Sequence, residues 1–251
     1  MPVPDLDRVF DALRKVRVAI LGDFCLDHYL FIDPDWKEIS VETGKPVHGV
    51  IDQRYGPGGA GNVAANVAAL GVEAVHCLGC VGDDPYGVCL RTCLSKLGCD
   101  TAGLMLQSRQ FATRAYVKPI HGNEEGSRFD HGVANRIDTE TTGKLVAHLE
   151  RLLPDLDAVI LNQQVTAGVW TPALIEAIQR LIGRFPKVHW LADSRHHAGE
   201  FKGALLKLNA SEAARLNGRD VRPGEPVSEA ETRADLERLF ERHRAPVAIT
   251  R

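Results

Sequence analysis

No apolar run in this 251-residue sequence approaches the roughly 18 residues that a bilayer-spanning helix needs. No block of Lys and Arg runs longer than two residues, and the formal net charge is −3. That argues against an electrostatic nucleic-acid binder, although a small anion held by a few local cations stays open. The N-terminal stretch MPVPDLDRVFDALRKV is charged and amphipathic and lacks the apolar core of a secretory signal, so a cytoplasmic enzyme is expected. There is no internal repeat and no low-complexity linker. Of the six cysteines, Cys77 and Cys80 stand as C-x-x-C in the apolar run VHCLGCVG, with no second pair at metal spacing. A structural zinc takes four ligands, so these thiols are expected to act as small buried hydrophobes.

With 44% hydrophobic and 25% charged residues, the chain can bury a substantial core. Apolar runs alternate with helical patterns, the signature of βαβ units. Strands are expected at Val16–Leu21, Ala74–Leu78, Ala158–Leu161, Val188–Ala192 and Pro246–Thr250. Gly61–Leu70 reads as an Ala/Val-rich helix. Asp84-Pro85 starts a helix that Gly98 stops. Asp138 caps a helix with Leu145, Leu149, Leu152 and Leu153 on one face. Thr171-Pro172 opens another, with Leu174, Ile175, Ile178, Leu181 and Ile182 inward. Ser228 and Glu231 form a capping box, and the helix it opens carries Leu236, Leu239 and Phe240. The stretches 31–55 and 111–129 are polar and β-prone and break this rhythm. One α/β domain with a small lid is the simplest architecture.

In open α/β sheets, ligands bind outside the carboxyl ends of the strands. Here those ends carry Asp23, Asn162 with Gln163, Asp193 and Asn209. Each alone reads as a loop residue capping the next helix; together they favour a shared polar site. Gly56-x-Gly58-x-x-Gly61 formally matches a dinucleotide fingerprint and leaves an NAD-dependent enzyme as one alternative. That motif needs a preceding buried strand, whereas VIDQRY is polar. The other reading is that Gly58-Gly59 bring backbone close to a substrate at a helix N-terminus, with Asn62 in its first turn.

In combination, the motifs resemble the PfkB, or ribokinase-type, family of sugar kinases, and within it the kinase domain of heptose 7-phosphate kinases. GDFCLDHY (Gly22–Tyr29), GGAGN (Gly58–Asn62), GCVGDDPYG (Gly79–Gly87), Asn209-Ala-Ser-Glu212 and VAITR (Val247–Arg251) stand in family order across nearly the whole chain. The resemblance implies a ribokinase-like three-layer α/β sandwich with a β lid, and ATP-dependent phosphorylation of a sugar or sugar phosphate. Heptose 7-phosphate at the anomeric hydroxyl is the favoured substrate. It implies that Asp27, Gly58, Gly59 and Asn62 bind the sugar, joined by Asn162, Gln164 and Arg128. Asn209, Glu212 and Thr250 are implied at the nucleotide, with Glu212 organising Mg²⁺ through water. Asp83 and Asp84 are expected to be structural. If the substrate is itself phosphorylated, Arg114, Lys118 and Arg128 either meet that phosphate or are solvated lid charges. A homodimer through the lid is a further expectation.

Three features depart from the family pattern. The spacing from Gly71 to Gly82 is one residue longer than usual. After the middle strand, NQQVTAGVW (Asn162–Trp170) stands where heptose kinases tend to carry Asp-Tyr followed by Lys-Gly. The Gly-Ala-Gly-Asp segment that supplies the catalytic base is absent and is expected beyond Arg251, which makes the chain a C-terminally truncated form. Losing an oxyanion donor costs ~10²–10³ in rate and losing a general base roughly 10²–10⁴. These residues alone are therefore expected to be inactive or nearly so. A sugar-binding or regulatory remnant without catalysis is the main alternative.

Overall fold

The structure is a computed structural model and describes residues 5–222 and 225–250. Met1–Pro4 of the amphipathic N-terminal stretch and Arg251 of VAITR lie outside the described residues. In chain order the elements are α1 (Leu6–Leu13), β1 (Arg17–Gly22), β2 (Phe24–Ile32), β3 (Val50–Gly59), α2 (Ala60–Ala69), β4 (Ala74–Gly82), α3 (Pro85–Lys96), β5 (Asp100–Gln107), β6 (Arg114–His121), β7 (Glu124–Glu125), β8 (Phe129–His131), α4 (Thr139–Leu152), β9 (Ala158–Gln163), α5 (Pro172–Arg184), β10 (His189–Ser194), β11 (Leu205–Asn209), α6 (Ala210–Leu216), α7 (Glu229–His243) and β12 (Val247–Thr250).

Seven strands form one parallel sheet in the order β12-β11-β10-β9-β1-β4-β5. Its central strands are continuous apolar runs, as a sheet covered on both faces requires. Helices α4 and α5, with Ala213 of α6 and Leu239 of α7, pack one face. Helices α2 and α3 pack the other. All five expected inward side chains of α5 are buried, each worth roughly 1.5–3 kcal/mol. On the α2 side, Ile160, Leu191 and Leu205 are only half-buried and floor an apolar groove of about 460 Å³.

The helix starts follow the local capping logic. Asp84 accepts the Gly87 N–H with Pro85 in the first turn, Asp138 accepts Thr141 N–H, and Thr171 accepts Leu174 N–H. Ser228 and Glu231 close a reciprocal box. Gly98 follows α3 at φ +78°. In α7 the apolar Phe240 is 55% exposed. Asp235, Thr232 and Leu239 take the inner face of α7 instead, because Arg219 and Asn217 bind Asp235 from beside α6.

The irregular stretches belong to a second sheet, wider than expected. Strands β3-β2-β6-β7 run in that order, with β8 also on β6. Its strands begin at Phe24 and Arg114, and they extend to Gly59 and His131. The expected limits at 31, 55 and 129 therefore fall within paired strands. β2 pairs antiparallel with β3 and parallel with β6. β3 is thus not the buried parallel strand that a dinucleotide fingerprint needs, which removes the structural basis of the NAD alternative.

Candidate functional site

β1 is the switch point of the main sheet: β4 and β5 lie on one side of it, β9 to β12 on the other. The crevice outside the carboxyl ends of β1 and β9 is where such a sheet takes ligands. Asp23 is the single residue between β1 and β2, and it organises this crevice. Its carboxylate accepts the N–H groups of Gln164 (2.9 Å), Val165 (3.1 Å) and Val169 (3.0 Å). Its own carbonyl accepts the Ala60 N–H at 3.0 Å. Burial pushes the Asp23 pKa up, while the three N–H groups and nearby Arg114 pull it down, and burial wins. The segment that follows β9, residues 164–169, is therefore a loop strapped to Asp23.

Gly58 and Gly59 join β3 to α2, and each is glycine for a definable reason. Gly59 has φ +55°, and a Cβ there would lie 2.4 Å from the Asp23 carbonyl oxygen. A Cβ on Gly58 would lie 3.0 Å from Asp27 Oδ2. The tight double glycine thus lets the second sheet and the start of α2 close on one another. The α2 N-terminus has no side-chain cap. Asn62, in its first turn, is exposed, and its side chain makes no hydrogen bond.

Strand alternation sorts the second sheet into two faces. One carries Leu26, His28, Ala115 and Val117. His28 stacks on Tyr55 at 4.4 Å and lies beside Tyr86 of α3, so this face docks on the main body. By register, the other carries Cys25, Asp27 and Tyr29 from β2 opposite Arg114, Tyr116 and Lys118 from β6. There Lys118 Nζ lies 2.8 Å from Asp27 Oδ1. Burial works to lower the Lys118 pKa, but the Asp27 hydrogen bond and charge outweigh it, so the value is raised. Burial pushes the Cys25 thiol up to about 12, which makes it an unreactive packing group. Arg128 grips Asp130 through two hydrogen bonds, at 2.5 and 2.8 Å, and lies over the Tyr116 ring.

Asp84 fastens this sheet to the main one. While Oδ1 caps α3, Oδ2 accepts the Thr113 N–H at 2.7 Å, and Thr113 Oγ1 accepts the Gly82 N–H. Its structural role matches the expectation, but its reach to residue 113 was not visible in GDDPYG.

The remaining expected residues divide by depth. Asn162 is only 1% exposed. Its carbonyl accepts from Asp23 N–H and the Trp170 indole, while its side-chain oxygen has no partner. It lines the floor beneath the crevice. Gln163 is equally buried and binds Ser194, His196 and Val165. Gln164 lies nearer the rim, where Oε1 accepts from Arg195.

Asn209 and Glu212 close a capping box, each side chain accepting the other's backbone N–H at 2.8 Å. Thr250 stands beside Asn209 in register across β11 and β12. Glu212 also lines a cavity of about 220 Å³ with Ser194, Arg195, His196 and Arg215. Among the described residues, no cluster of three or more acidic, His or Cys side chains could cage a metal. The donor set therefore fits an ion held mainly by phosphates and water, with one carboxylate beside it.

Residues 24–251 match the model of the pfkB family carbohydrate kinases. The chain belongs to the PfkB family. Among curated PfkB relatives, the bifunctional protein HldE of Shewanella amazonensis is 31% identical over 222 residues, which is 88% of this chain and 44% of the relative. HldE of a Nitratiruptor species is 30% identical over 217 residues, 86% and 45% of the two chains. The chain spans less than half the length of these relatives. The fold matches phosphofructokinase-2 from Escherichia coli in complex with fructose-6-phosphate (TM-score 0.65, 15% identity, 94% of this chain and 73% of that one). It also matches ribokinase from Cryptococcus neoformans in complex with ADP (TM-score 0.61, 19% identity, 94% and 72%). The expected ribokinase-like α/β fold, a parallel sheet flanked by helices, is the PfkB fold seen here. No helix among the described residues is long and apolar enough to cross a membrane.

Proposed function

We propose that the chain is the sugar-binding and nucleotide-approach part of an ATP-dependent kinase that phosphorylates a sugar phosphate, with heptose 7-phosphate at its anomeric hydroxyl as the favoured substrate. The observation that carries the reading is the position of Asp27. Its carboxylate lies against Gly58, beside the uncapped start of α2, on the polar face of the second sheet. A carboxylate held by Lys118 on one oxygen keeps the other for sugar hydroxyls. Asn62 adds an amide from the first turn of α2. The likeness of the front motifs to heptose 7-phosphate kinases favours a heptose phosphate among possible sugars.

ATP with Mg²⁺ supplies the phosphoryl group and the charge that neutralises it. Around it, Asn209, Glu212 and Thr250 sit together at the ends of β11 and β12 and the start of α6, with Arg195 and Arg215 lining the same cavity as Glu212. Glu212 would hold the ion through water. The second sheet acts as the lid that excludes water from the transfer, and it offers a surface for a homodimer. No residue of the described site stands as general base, and we assign that role to a Gly-Ala-Gly-Asp segment not among these 251 residues.

Isothermal titration tests the reading. Heptose 7-phosphate binds the wild-type chain, and Asp27→Asn weakens it at least about tenfold, as loss of a hydrogen bond to a charged group does. Absence of sugar binding by the wild type rejects the reading. Phosphoryl transfer by these 251 residues at the rate of a complete sugar kinase rejects the assignment of the base.

A further inference from the structure

A further cavity lies where the parallel strands begin, at the edge of the sheet opposite the crevice. It encloses about 510 Å³ between the start of β11 and the ends of α6 and α7, a size within the roughly 300–1,000 Å³ of small-molecule pockets. Leu206, Leu216 and Leu239 line it, and so do Lys202, Arg242, His243 and Arg244. No carboxylate lines it, although Asp and Glu outnumber Lys and Arg in the chain as a whole.

Cations in the last turn of a helix suit its dipole, which accounts for Arg242 and His243. It does not account for Lys202, which stands just before β11, or for Arg244, which stands past the last residue of α7. Arg244 has φ +55°. This is the left-handed conformation that ends many helices and that glycine adopts at the least cost. Glycine would ease the backbone there; arginine supplies a guanidinium.

The cations are firmly mounted. Gln179 of α5 clamps the Lys202 backbone, donating to its carbonyl at 3.1 Å and accepting its N–H at 2.8 Å. Arg242 donates to the Leu216 carbonyl at 2.9 Å, and His243 Nε2 to the Ala204 carbonyl at 2.8 Å. The Lys202 ammonium and the Arg244 guanidinium have no hydrogen-bond or ion-pair partner among the described residues. Two unanswered charges from separate segments thus meet at one cavity. A guanidinium fork and an ammonium suit a phosphate, and the leucines suit an apolar body attached to it.

We propose that this cavity is a second ligand site, remote from the crevice, that takes the phosphate monoester of a small organic molecule. Lys202 and Arg244 hold the phosphate, and Leu206, Leu216 and Leu239 meet the body. The site stands independently of the sugar-kinase reading.

Isothermal titration of the 251-residue chain with phenyl phosphate, inorganic phosphate and phenol tests it. Wild type, Lys202→Met and Arg244→Gly are compared, with a thermal melt of each. The wild type is expected to bind phenyl phosphate at least about tenfold tighter than either fragment. Each substitution weakens phenyl phosphate at least about tenfold. Arg244→Gly melts no lower than the wild type, because glycine is the easier residue at positive φ. Lys202→Met keeps the backbone clamp and an apolar stem and melts close to the wild type, so neither loss is a loss of fold.

Absence of phenyl phosphate binding by the wild type overturns the proposal. So does binding that neither substitution weakens, which belongs to the crevice. Inorganic phosphate held as tightly as phenyl phosphate strips the leucines of their role, and phenol held as tightly strips the cations of theirs; either result overturns it.

Discussion

Lys118 Nζ lies 2.8 Å from Asp27 Oδ1, with both side chains less than a fifth exposed. Lys118→Met leaves a largely buried carboxylate without its cation, which costs about 1–3 kcal/mol. Urea unfolding is expected to show that loss, and titration a weaker hold on sugar, because the carboxylate is no longer aimed. Full stability together with unchanged sugar affinity would make the pair incidental.

The three glycines of GPGG separate by what surrounds them. Gly59→Ala forces a Cβ into the Asp23 carbonyl at positive φ and is expected to cost at least about 2 kcal/mol. Gly58→Ala pushes on the Asp27 carboxylate and is expected to weaken sugar binding more than stability. Gly56→Ala meets nothing within 4 Å and serves as the control. Equal melting temperatures for the Gly59 and Gly56 variants would refute this account.

Asp23 gives a pH signature. Its folded pKa is raised above the ordinary value of 3.8, chiefly by burial. In the window between the two values the folded chain holds a proton that the unfolded chain has released. The contribution of Asp23 to stability therefore falls as pH rises through that window. Asp23→Asn lacks this slope and also mismatches three backbone donors. The wild type is expected to be the more stable, by a margin that narrows as pH rises above about 4. A constant or widening margin in denaturant midpoints would contradict the assignment.

Asp84→Ala removes the cap of α3, worth about 0.5–2 kcal/mol, and releases Thr113. Hydrogen exchange should then quicken at residues 113–118 as well as in the first turn of α3. Quickening confined to α3 would show that the link to β6 carries no load.

What was legible in the sequence was local. Asp84-Pro85, Thr171-Pro172 and Ser228 with Glu231 name their helix starts because a cap and its N–H partner lie within three residues. The parallel core strands announce themselves as apolar runs. β5 did not, since DTAGLMLQ opens with polar and small residues and gains its identity from pairing with β4. The inner face of α7 was not legible either, because the buried Asp235 there takes its partners, Asn217 and Arg219, from before the helix. The site was half legible. Asp23 stood out as a polar strand end, but nothing local says that its oxygens are taken by residues 164–169. Likewise, that Lys118 finds its carboxylate partner in Asp27 depends on two strands that lie about 90 residues apart in the chain.

Two of the chain's passages between the main sheet and the second one are almost without slack. Asp23 alone separates β1 from β2, nothing separates β3 from α2, and the Asp23 carbonyl ties the two passages together through Ala60 N–H. Any tilt of the second sheet must turn about that knot as about an axle. The start of α2 and the strapped 164–169 loop are mounted on the same axle, so a swing that shuts the polar face also re-aims the helix end and the crevice rim in one stroke.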